Sequence, residues 1–386
     1  MGSRRVSLAE CRSYDREAVA RALEAAVEPL GGFDWVRPGM RIAVKANLVS
    51  AMGPDAAATT HPAVLCALTE QLKARGAEVI LGDSPGGLYN RVYVERVYAA
   101  TGMRQAEAAG ARLNRDFSVK EAVYAEARAA KSFTYTGWLD QADAVINVSK
   151  LKTHGMMSMS AAAKNLFGAI PGTMKPEYHY RFPNPADFAD MIVDLNEYFR
   201  PRLCLIDAVV GMEGNGPTAG VPRPVGLLLA SESPHAVDLL AAALLGLKPG
   251  EVPTLAAAQR RGLIPSGPEQ LEVAGPAWQP WVMEDYKRVG TVRSLRFSRD
   301  STGIFGRAAA GLIDKALASR PKLLAAECIG CGECARLCPA KAIVMENHRP
   351  RINRGTCIRC FCCQEFCPKG AMKVHRTPLA RMLAHG

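Results

Sequence analysis

Two patterns of hydrophobic and polar residues alternate along the first 275 positions of the chain. Short β-branched runs are typical of buried strands, and the longer runs between them are typical of helices, so the chain predicts repeated β-α units and a mainly parallel sheet. The predicted strands cover 41–45, 78–81, 144–148, 203–206 and 225–229, and the predicted helices cover 15–30, 62–75, 91–100, 186–199 and 236–245.

The pattern changes near Gly275-Pro276, a dipeptide that interrupts regular structure. No period dominates in 278–299, which we interpret as a connecting segment, whereas 304–318 predicts a helix that ends before Pro321. The predicted organisation is an α/β domain over 1–275, a connecting segment and helix over 276–320, a small cysteine-rich α+β module over 321–376 and a C-terminal tail over 377–386.

Composition is that of a globular protein, with 48% hydrophobic and 22% charged residues in 386. No run approaches the roughly 18 apolar residues of a membrane helix, so no membrane span is expected. The net charge of +11 is compatible with nucleic acid, an anionic ligand or an acidic protein partner. Nucleic acid is not expected, because no recognition motif or aromatic-interleaved basic run accompanies the charge.

Nine of the twelve cysteines lie between positions 328 and 367, in two copies of the spacing C-x-x-C-x-x-C-x-x-x-C-P. In this spacing a tight loop directs three thiolates at one cubane, and the cysteine before proline reaches the other. The predicted cofactors are therefore two [4Fe-4S] clusters. One is assigned to Cys328, Cys331, Cys334 and Cys367, and the other to Cys338, Cys357, Cys360 and Cys363.

Zinc is the alternative occupant of such cysteines, but zinc sites use C-x-x-C pairs and leave no role for triplets followed by Cys-Pro. Cys362 falls off the spacing and is interpreted as a packed thiol. Segments 342–345 and 351–353 predict a hairpin that turns at His348, Arg349 and Pro350, which completes a resemblance to bacterial two-cluster ferredoxins. Cysteines at metal-ligand spacing also predict a reducing compartment, the cytoplasm.

A second resemblance lies in the polar motifs of the large domain, which are similar to the domain-of-unknown-function 362 family. The motifs are Lys45 to Leu48, His61-Pro62, Gly82 to Pro85, Ile146 to His154, Ala163 to Gly168, and Asp207 with Gly211 to Pro217. The family is often fused to a two-cluster ferredoxin module. The family tends to have proline where this chain has Ala46 and Ser149, differences that we interpret as backbone adjustments.

These motifs fall where predicted strands end, and ligands of open α/β sheets gather at the carboxyl ends of strands. Lys152, His154 and Lys164 are the candidate catalytic residues, because they offer positive charge and, through His154, a proton near neutral pH. The candidate substrate- or cofactor-binding residues are Lys45, Asn47, Asp83 and Asp207. The two aspartates are expected to orient the cations or to bind a divalent metal, unless each only caps a turn or helix.

The fusion of an electron relay to a polar cleft favours an iron-sulfur oxidoreductase that acts on an anionic small molecule or a bound cofactor. A ferredoxin-like subunit that docks a partner enzyme is one alternative, and a factor in cluster or cofactor maturation is another. Because the cysteine-rich module is itself basic, an acidic redox partner protein is expected.

Overall fold

Residues 3–288 and 319–375 are described by the structure, a computed structural model. One large sheet runs through the first part of the chain. Its strands are β1 (Arg5–Glu10), β2 (Arg41–Lys45), β3 (Glu78–Gly82), β4 (Arg112–Leu113), β7 (Ala144–His154), β8 (Ser158–Ser160), β9 (Leu203–Glu213), β10 (Val221–Ser231) and β11 (Glu272–Ala274). β5 (Val119–Val123) and β6 (Ser132–Thr136) form a separate antiparallel pair.

The strand order in the large sheet is β11-β1-β10-β9-β7-β2-β3-β4, with β8 paired to β7. The central pairs β9-β7, β7-β2, β2-β3 and β3-β4 are parallel, whereas β10 runs antiparallel to both β9 and β1. The predicted α/β domain with a mainly parallel sheet is confirmed. β7 and β9 are longer than predicted, so Lys150, Lys152 and His154 lie within β7 and do not follow it.

Helices cover both faces of the sheet. They are α1 (Arg16–Val27), α2 (Pro62–Ala74), α3 (Arg91–Ala100), α4 (Met103–Ala108), α5 (Ala162–Asn165), α6 (Lys175–Arg181), α7 (Pro185–Phe199), α8 (Pro234–Leu244) and α9 (Pro253–Arg260). The helices α1 to α4 pack on one face of the sheet, against apolar residues such as Val44 and Val148. α8 and α9 pack on the opposite face, against residues such as Leu8 and Ile206.

Several helices begin where the sequence provides both a cap and a proline. His61, Asn184 and Ser233 precede Pro62, Pro185 and Pro234, and each capping side chain accepts a hydrogen bond from a backbone N–H of the first turn. Each cap accepts a hydrogen bond from a backbone N–H that has no partner within the helix. Proline lacks an N–H, but in the first turn this removes no intrahelical hydrogen bond.

The small module contains β12 (Arg320–Leu323), β13 (Ile343–Glu346), β14 (Arg349–Ile352), β15 (Met372–His375), α10 (Glu333–Arg336) and α11 (Cys362–Glu365). β12 pairs with β15, and β13 pairs with β14, so the predicted ferredoxin-like α+β module is confirmed. The hairpin turns at Asn347 and His348, both at positive φ, whereas Arg349 and Pro350 belong to β14 and not to the turn.

The segment predicted to connect the domains is described up to residue 288, and this part packs on the large domain. Tyr286 is buried there and donates a hydrogen bond of 2.7 Å to the carbonyl of Met212. The predicted helix at 304–318 and the tail at 377–386 lie outside the described residues. No helix in the described ranges is long and apolar enough to cross a membrane.

Candidate functional site

A cavity of about 40 Å³ lies at the carboxyl ends of β2 and β3, beside β7, where the small module meets the large domain. Six predicted site residues line it: Lys45, Asn47, Asp83, Lys152, His154 and Lys164. Ser84, Ser160, Asn165, Lys175 and Glu365 supply further polar side chains. We call this cavity the lysine pocket.

One lysine of the pocket is neutralised by a carboxylate. The ammonium of Lys45 lies 2.7 Å from Oδ1 of Asp83, and it donates to the carbonyl of Ala46 and to Oδ1 of Asn165. The backbone of Gly168 lies directly against this pair, since a Cβ there would stand 2.2 Å from the Asp83 oxygen and 2.4 Å from the Lys45 nitrogen. Glycine is therefore required where the Ala163 to Gly168 motif ends.

Asparagine side chains connect the strand ends to one another. Asn165 donates to Oδ1 of Asn147 at 2.7 Å and accepts from Asn47 at 2.8 Å. Oδ1 of Asn47 in turn accepts from the ammonium of Lys152 at 2.7 Å. A buried polar network in which each donor has an acceptor is rigid, so it fixes the position of the Lys152 ammonium.

Three lysines of the pocket have no carboxylate partner among the described residues. Lys152 donates only to Asn47 and to the carbonyl of Ala58, and Lys175 donates only to the carbonyl and hydroxyl of Ser84. The ammonium of Lys164 makes no hydrogen bond or ion pair within the described ranges and lies 4.5 Å from the ring centroid of Phe167. The neutral partners of Lys152 and Lys175 orient their ammonium groups without cancelling the charge.

Burial shifts the protonation of these lysines. Lys152 and Lys175 are 1% and 6% exposed, and burial lowers the pKa of each to about 7. Burial likewise lowers the pKa of Lys164. The ordinary pKa of lysine is about 10.4, so near neutral pH Lys152 and Lys175 can both hold and release protons.

His154 presents one unpartnered hydrogen-bond donor. Its Nδ1 accepts from the backbone N–H groups of Met156 and Met157 at 3.1 and 3.3 Å, so the proton of the neutral ring lies on Nε2. Nε2 is buried and has no hydrogen-bond partner in the part of the chain that the structure describes. Burial, followed by the charge of Lys164, lowers the pKa of His154 well below its ordinary value. The ring is therefore neutral near pH 7, and the expectation that it supplies a proton there is corrected: it can donate a hydrogen bond.

Asp207, also predicted for this site, lies outside the lysine pocket. Its carboxylate pairs with the ammonium of Lys150 at 2.9 Å, accepts from the hydroxyl of Tyr14 at 2.9 Å and accepts from the backbone N–H of His61 at 2.9 Å. The rings of His61 and Tyr14 stack at 3.5 Å. The pair is fully buried and every polar group in it has a partner, which is the pattern of a structural ion pair.

The divalent-metal alternative for the aspartates finds no ligand set. Asp83 and Asp207 each pair with a lysine. Within the described ranges no three His, Cys, Asp or Glu side chains are grouped to hold a metal ion. That result applies to a single ion, whereas the thiolates of a cubane each bind a different iron atom and stand farther apart.

Two charged pocket residues, Lys175 and Glu365, were missed by the sequence predictions, as were the polar residues Ser84, Ser160 and Asn165. Lys175 opens the short helix α6, far from any predicted strand end, and Glu365 comes from the small module. Glu365 lies between Cys363 and Cys367, so its position between two predicted cluster ligands was the available signal. No comparable signal marks Lys175.

The contact that brings Glu365 to the pocket is made by α11. Nε2 of Gln364 donates to the carbonyls of Asn215 and Gly216 at 2.8 and 3.3 Å. Phe366 contacts the backbone of Gly86, where a Cβ would stand 2.5 Å from the phenylalanine ring. The helix that carries Cys363 therefore forms one wall of the lysine pocket.

The eight motif cysteines fall into two groups in space. Cys328, Cys331, Cys334 and Cys367 line one cavity of about 20 Å³ in the small module. Cys357 lies within electrostatic reach of Cys338 and Cys360. Cys363 lies within reach of Cys360, Cys357 and Cys338, and also of Cys334 of the first group, so the two groups are neighbours. None of the described cysteines forms a disulfide bond.

The surroundings of these thiols suit iron-sulfur ligation. Backbone N–H groups of Ala342 and Ala371 each donate to a motif sulfur at 3.2 Å, to Cys338 and Cys367 respectively. Such N–H···S bonds stabilise thiolate charge and are a recognised influence on cluster potential. Cys362 is 1% exposed and carries no predicted ligand role. The donor set fits [4Fe-4S] clusters.

Comparison with known proteins agrees with both motif-based resemblances. Residues 42–243 match the family model described as Domain of unknown function (DUF362), and residues 320–368 match that of the 4Fe-4S dicluster domain. Thylakoid-associated protein sll1697 of Synechocystis sp. is 34% identical over 272 residues, which cover 68% of this chain and 81% of the relative. Both resemblances are confirmed, and the small module is an iron-sulfur domain.

Among solved structures, the lactate racemase apoprotein from Thermoanaerobacterium thermosaccharolyticum superposes with a TM-score of 0.39 at 12% identity. The match covers 64% of this chain and 58% of that chain, so less than two thirds of the racemase is represented here.

Proposed function

This chain belongs to the domain-of-unknown-function 362 family and carries a 4Fe-4S dicluster domain, and we propose that it is an iron-sulfur oxidoreductase acting on an anionic small molecule in the lysine pocket. Two [4Fe-4S] clusters are held by the two groups of cysteines assigned above. When bound, the clusters supply one-electron transfer. The observation that carries the proposal is the set of buried lysines that have no carboxylate partner among the described residues and lie beside the helix that bears Cys363.

Buried charge without a counter-charge is costly, and proteins ordinarily pair such groups. Lys45 and Lys150 follow that rule, whereas Lys152, Lys164 and Lys175 do not. An anionic substrate would supply the missing counter-charge. The ammonium groups would then bind and orient the substrate against α11.

His154 and the lysines have different roles toward the substrate, hydrogen bonding and proton transfer. The Nε2–H of neutral His154 donates a hydrogen bond to the substrate. Lys152 and Lys175, whose pKa values burial lowers to about 7, are placed to give or accept a proton as the substrate gains or loses electrons. Phe366 packs on Gly86 where the small module contacts the lysine pocket.

Turnover of anionic small molecules with a defined electron donor tests this proposal. Anaerobic holoprotein with excess reduced viologen is mixed with small-molecule fractions separated by anion exchange, and viologen oxidation is followed. We expect one anionic fraction to support many turnovers, and Lys152→Ala or His154→Ala to abolish them while leaving the cluster absorbance intact. The matched control is Lys131→Ala, an exposed lysine outside the pocket. Equal turnover in wild type and pocket variants would refute the site assignment.

A second candidate, an electron-transfer protein that docks a partner enzyme, is supported by the outer face of the small module. Ile329 is 62% exposed and Cys331 is exposed, and Lys369 lines the same cavity. An apolar contact on a module whose net charge is positive suits an acidic redox partner, and binding should weaken steeply with salt. Partner capture that is insensitive to salt would count against this surface. Either role requires a compartment that keeps the thiols reduced, and we propose the cytoplasm.

A further inference from the structure

We infer that the lysine pocket is built for a compact oxyanion carrying two negative charges, a group of the phosphate or sulfate type. The inference deepens the proposed function, on which it rests for the identity of the substrate site. It depends on the charge of the pocket, on its free hydrogen-bond donors and on its size.

The charged side chains that line the pocket have a net charge of plus two when all are ionised. Lys45 and Asp83 neutralise each other at 2.7 Å. The remaining charged side chains of the lining are the ammonium groups of Lys152, Lys164 and Lys175 and the carboxylate of Glu365, which forms no ion pair among the described residues. Three positive charges against one negative charge match a ligand with a charge of minus two.

The free donors converge on the same space. A lysine ammonium has three N–H donors, of which Lys152 and Lys175 each use two on neutral protein atoms. Lys164 uses none on the described residues, and His154 has a free Nε2–H. Each of these side chains lines the pocket, which therefore offers free donors from four side chains. Oxygen atoms of a multiply bonded oxyanion accept from several directions at once.

The size of the cavity limits the bound group. Its volume of about 40 Å³ is roughly three times the 10–15 Å³ that one water molecule needs. A tetrahedral oxyanion is the kind of group that fits such a space. A whole nucleotide or a large acid would have to place its remaining atoms outside.

The protonation of the lysines agrees with this inference. Burial lowers the pKa of both Lys152 and Lys175 to about 7 in the pocket as described. A dianion beside them would favour their charged forms and raise both values again. Binding would thus restore the charges that recognise the ligand.

Calorimetric titration of anaerobic holoprotein at pH 6 and constant ionic strength tests the charge rule with two probes of one shape. Sulfate and perchlorate are both tetrahedral, but sulfate carries two charges and perchlorate one. We expect sulfate to bind at least tenfold more tightly than perchlorate. Lys164→Gln and Lys175→Gln should each weaken sulfate binding at least tenfold, while Lys131→Gln leaves it unchanged; cluster absorbance checks that each variant is folded.

Equal affinity for the two anions would overturn the inference, as would sulfate binding that neither pocket variant changes. The outcome is separable from that of the turnover experiment. Sulfate binding without any turnover would refute the oxidoreductase and leave the dianion site standing. Turnover that depends on Lys152, together with no preference for sulfate, would refute the dianion rule alone.

Discussion

Two buried lysine sites of the same sheet differ in one respect, the presence of a counter-charge. Lys150 and Lys152 are two residues apart in β7, and both are 1% exposed. Lys150 meets the carboxylate of Asp207. Among the described residues Lys152 donates only to neutral oxygens, in a pocket that it shares with Lys164 and Lys175. The comparison predicts that the partner, and not burial alone, distinguishes a structural lysine from one that binds a ligand.

Removing the cation of the structural pair should have the largest effect. Lys150→Met leaves the carboxylate of Asp207 buried without a cation, and losing one partner of a buried pair costs about 3–5 kcal/mol. We expect the thermal unfolding midpoint of the holoprotein to fall by about 6–15 °C. The double variant Lys150→Met/Asp207→Asn should recover part of the loss. A midpoint within about 2 °C of wild type would show that the pair is not structural.

The same substitution at an unpaired lysine should act in the opposite direction. Lys164→Met removes a buried charge that has no ion-pair partner among the described residues and keeps an apolar chain against Phe167 and Phe188, so the unfolding midpoint of the anion-free protein should rise. Sulfate, which should raise the unfolding midpoint of wild type, should no longer do so. The control Lys131→Met should behave as wild type does. A destabilised Lys164→Met with an intact sulfate response would contradict the comparison.

The pH dependence of anion binding follows from the lowered lysine pKa values. Lys152 and Lys175, with pKa values of about 7 when the pocket is free, must be protonated to bind, and a dianion raises both values. Affinity for sulfate, which is a dianion throughout this range, should therefore be full below pH 7. Above it, affinity should fall about tenfold per pH unit for each lysine. Titrations with sulfate at pH 6, 7, 8 and 9 measure this slope. Sulfate affinity that does not change with pH would show that binding is not coupled to protonation of Lys152 and Lys175.

The smallest expected effect concerns the one unpaired carboxylate of the lining. Glu365→Gln removes a negative charge that repels an anionic ligand, so at pH 6 sulfate should bind about threefold to tenfold more tightly, or about 1 kcal/mol. Glu346→Gln, an exposed acid of the same module, is the matched control. Unchanged sulfate affinity in Glu365→Gln would place the carboxylate too far from the ligand to matter.

The features that could be predicted from sequence are those set by closely spaced ligands in the chain or by the carboxyl ends of neighbouring strands. The cysteine motifs specify their cofactor because ligand spacing is local. Lys45, Asn47 and Asp83 could be brought together because the carboxyl ends of neighbouring parallel strands lie at one edge. The Gly168 requirement also lay within a recognisable motif, although its cause, close approach to the Lys45–Asp83 pair, needed coordinates.

The remaining parts depend on register and on contacts between distant segments. Asp207 lies opposite Lys150 in the pairing of β7 with β9, and a shift of one residue would have placed it elsewhere. The polar run from Lys150 to His154 was interpreted as following a strand, because sequence patterns do not predict lysines inside one. Glu365 reaches the pocket only because α11 docks on Gly86 and Gly216, a contact between residues far apart in the chain.

The most direct test of the central claim is a crystal structure of the anaerobic holoprotein grown with selenate, an analogue of sulfate that can be located by its anomalous scattering. The account predicts a selenate in the lysine pocket within hydrogen-bond distance of the ammonium of Lys164 and of Nε2 of His154. Anomalous density confined to the protein surface, with the pocket lysines in the positions described and water alone beside them, would contradict it.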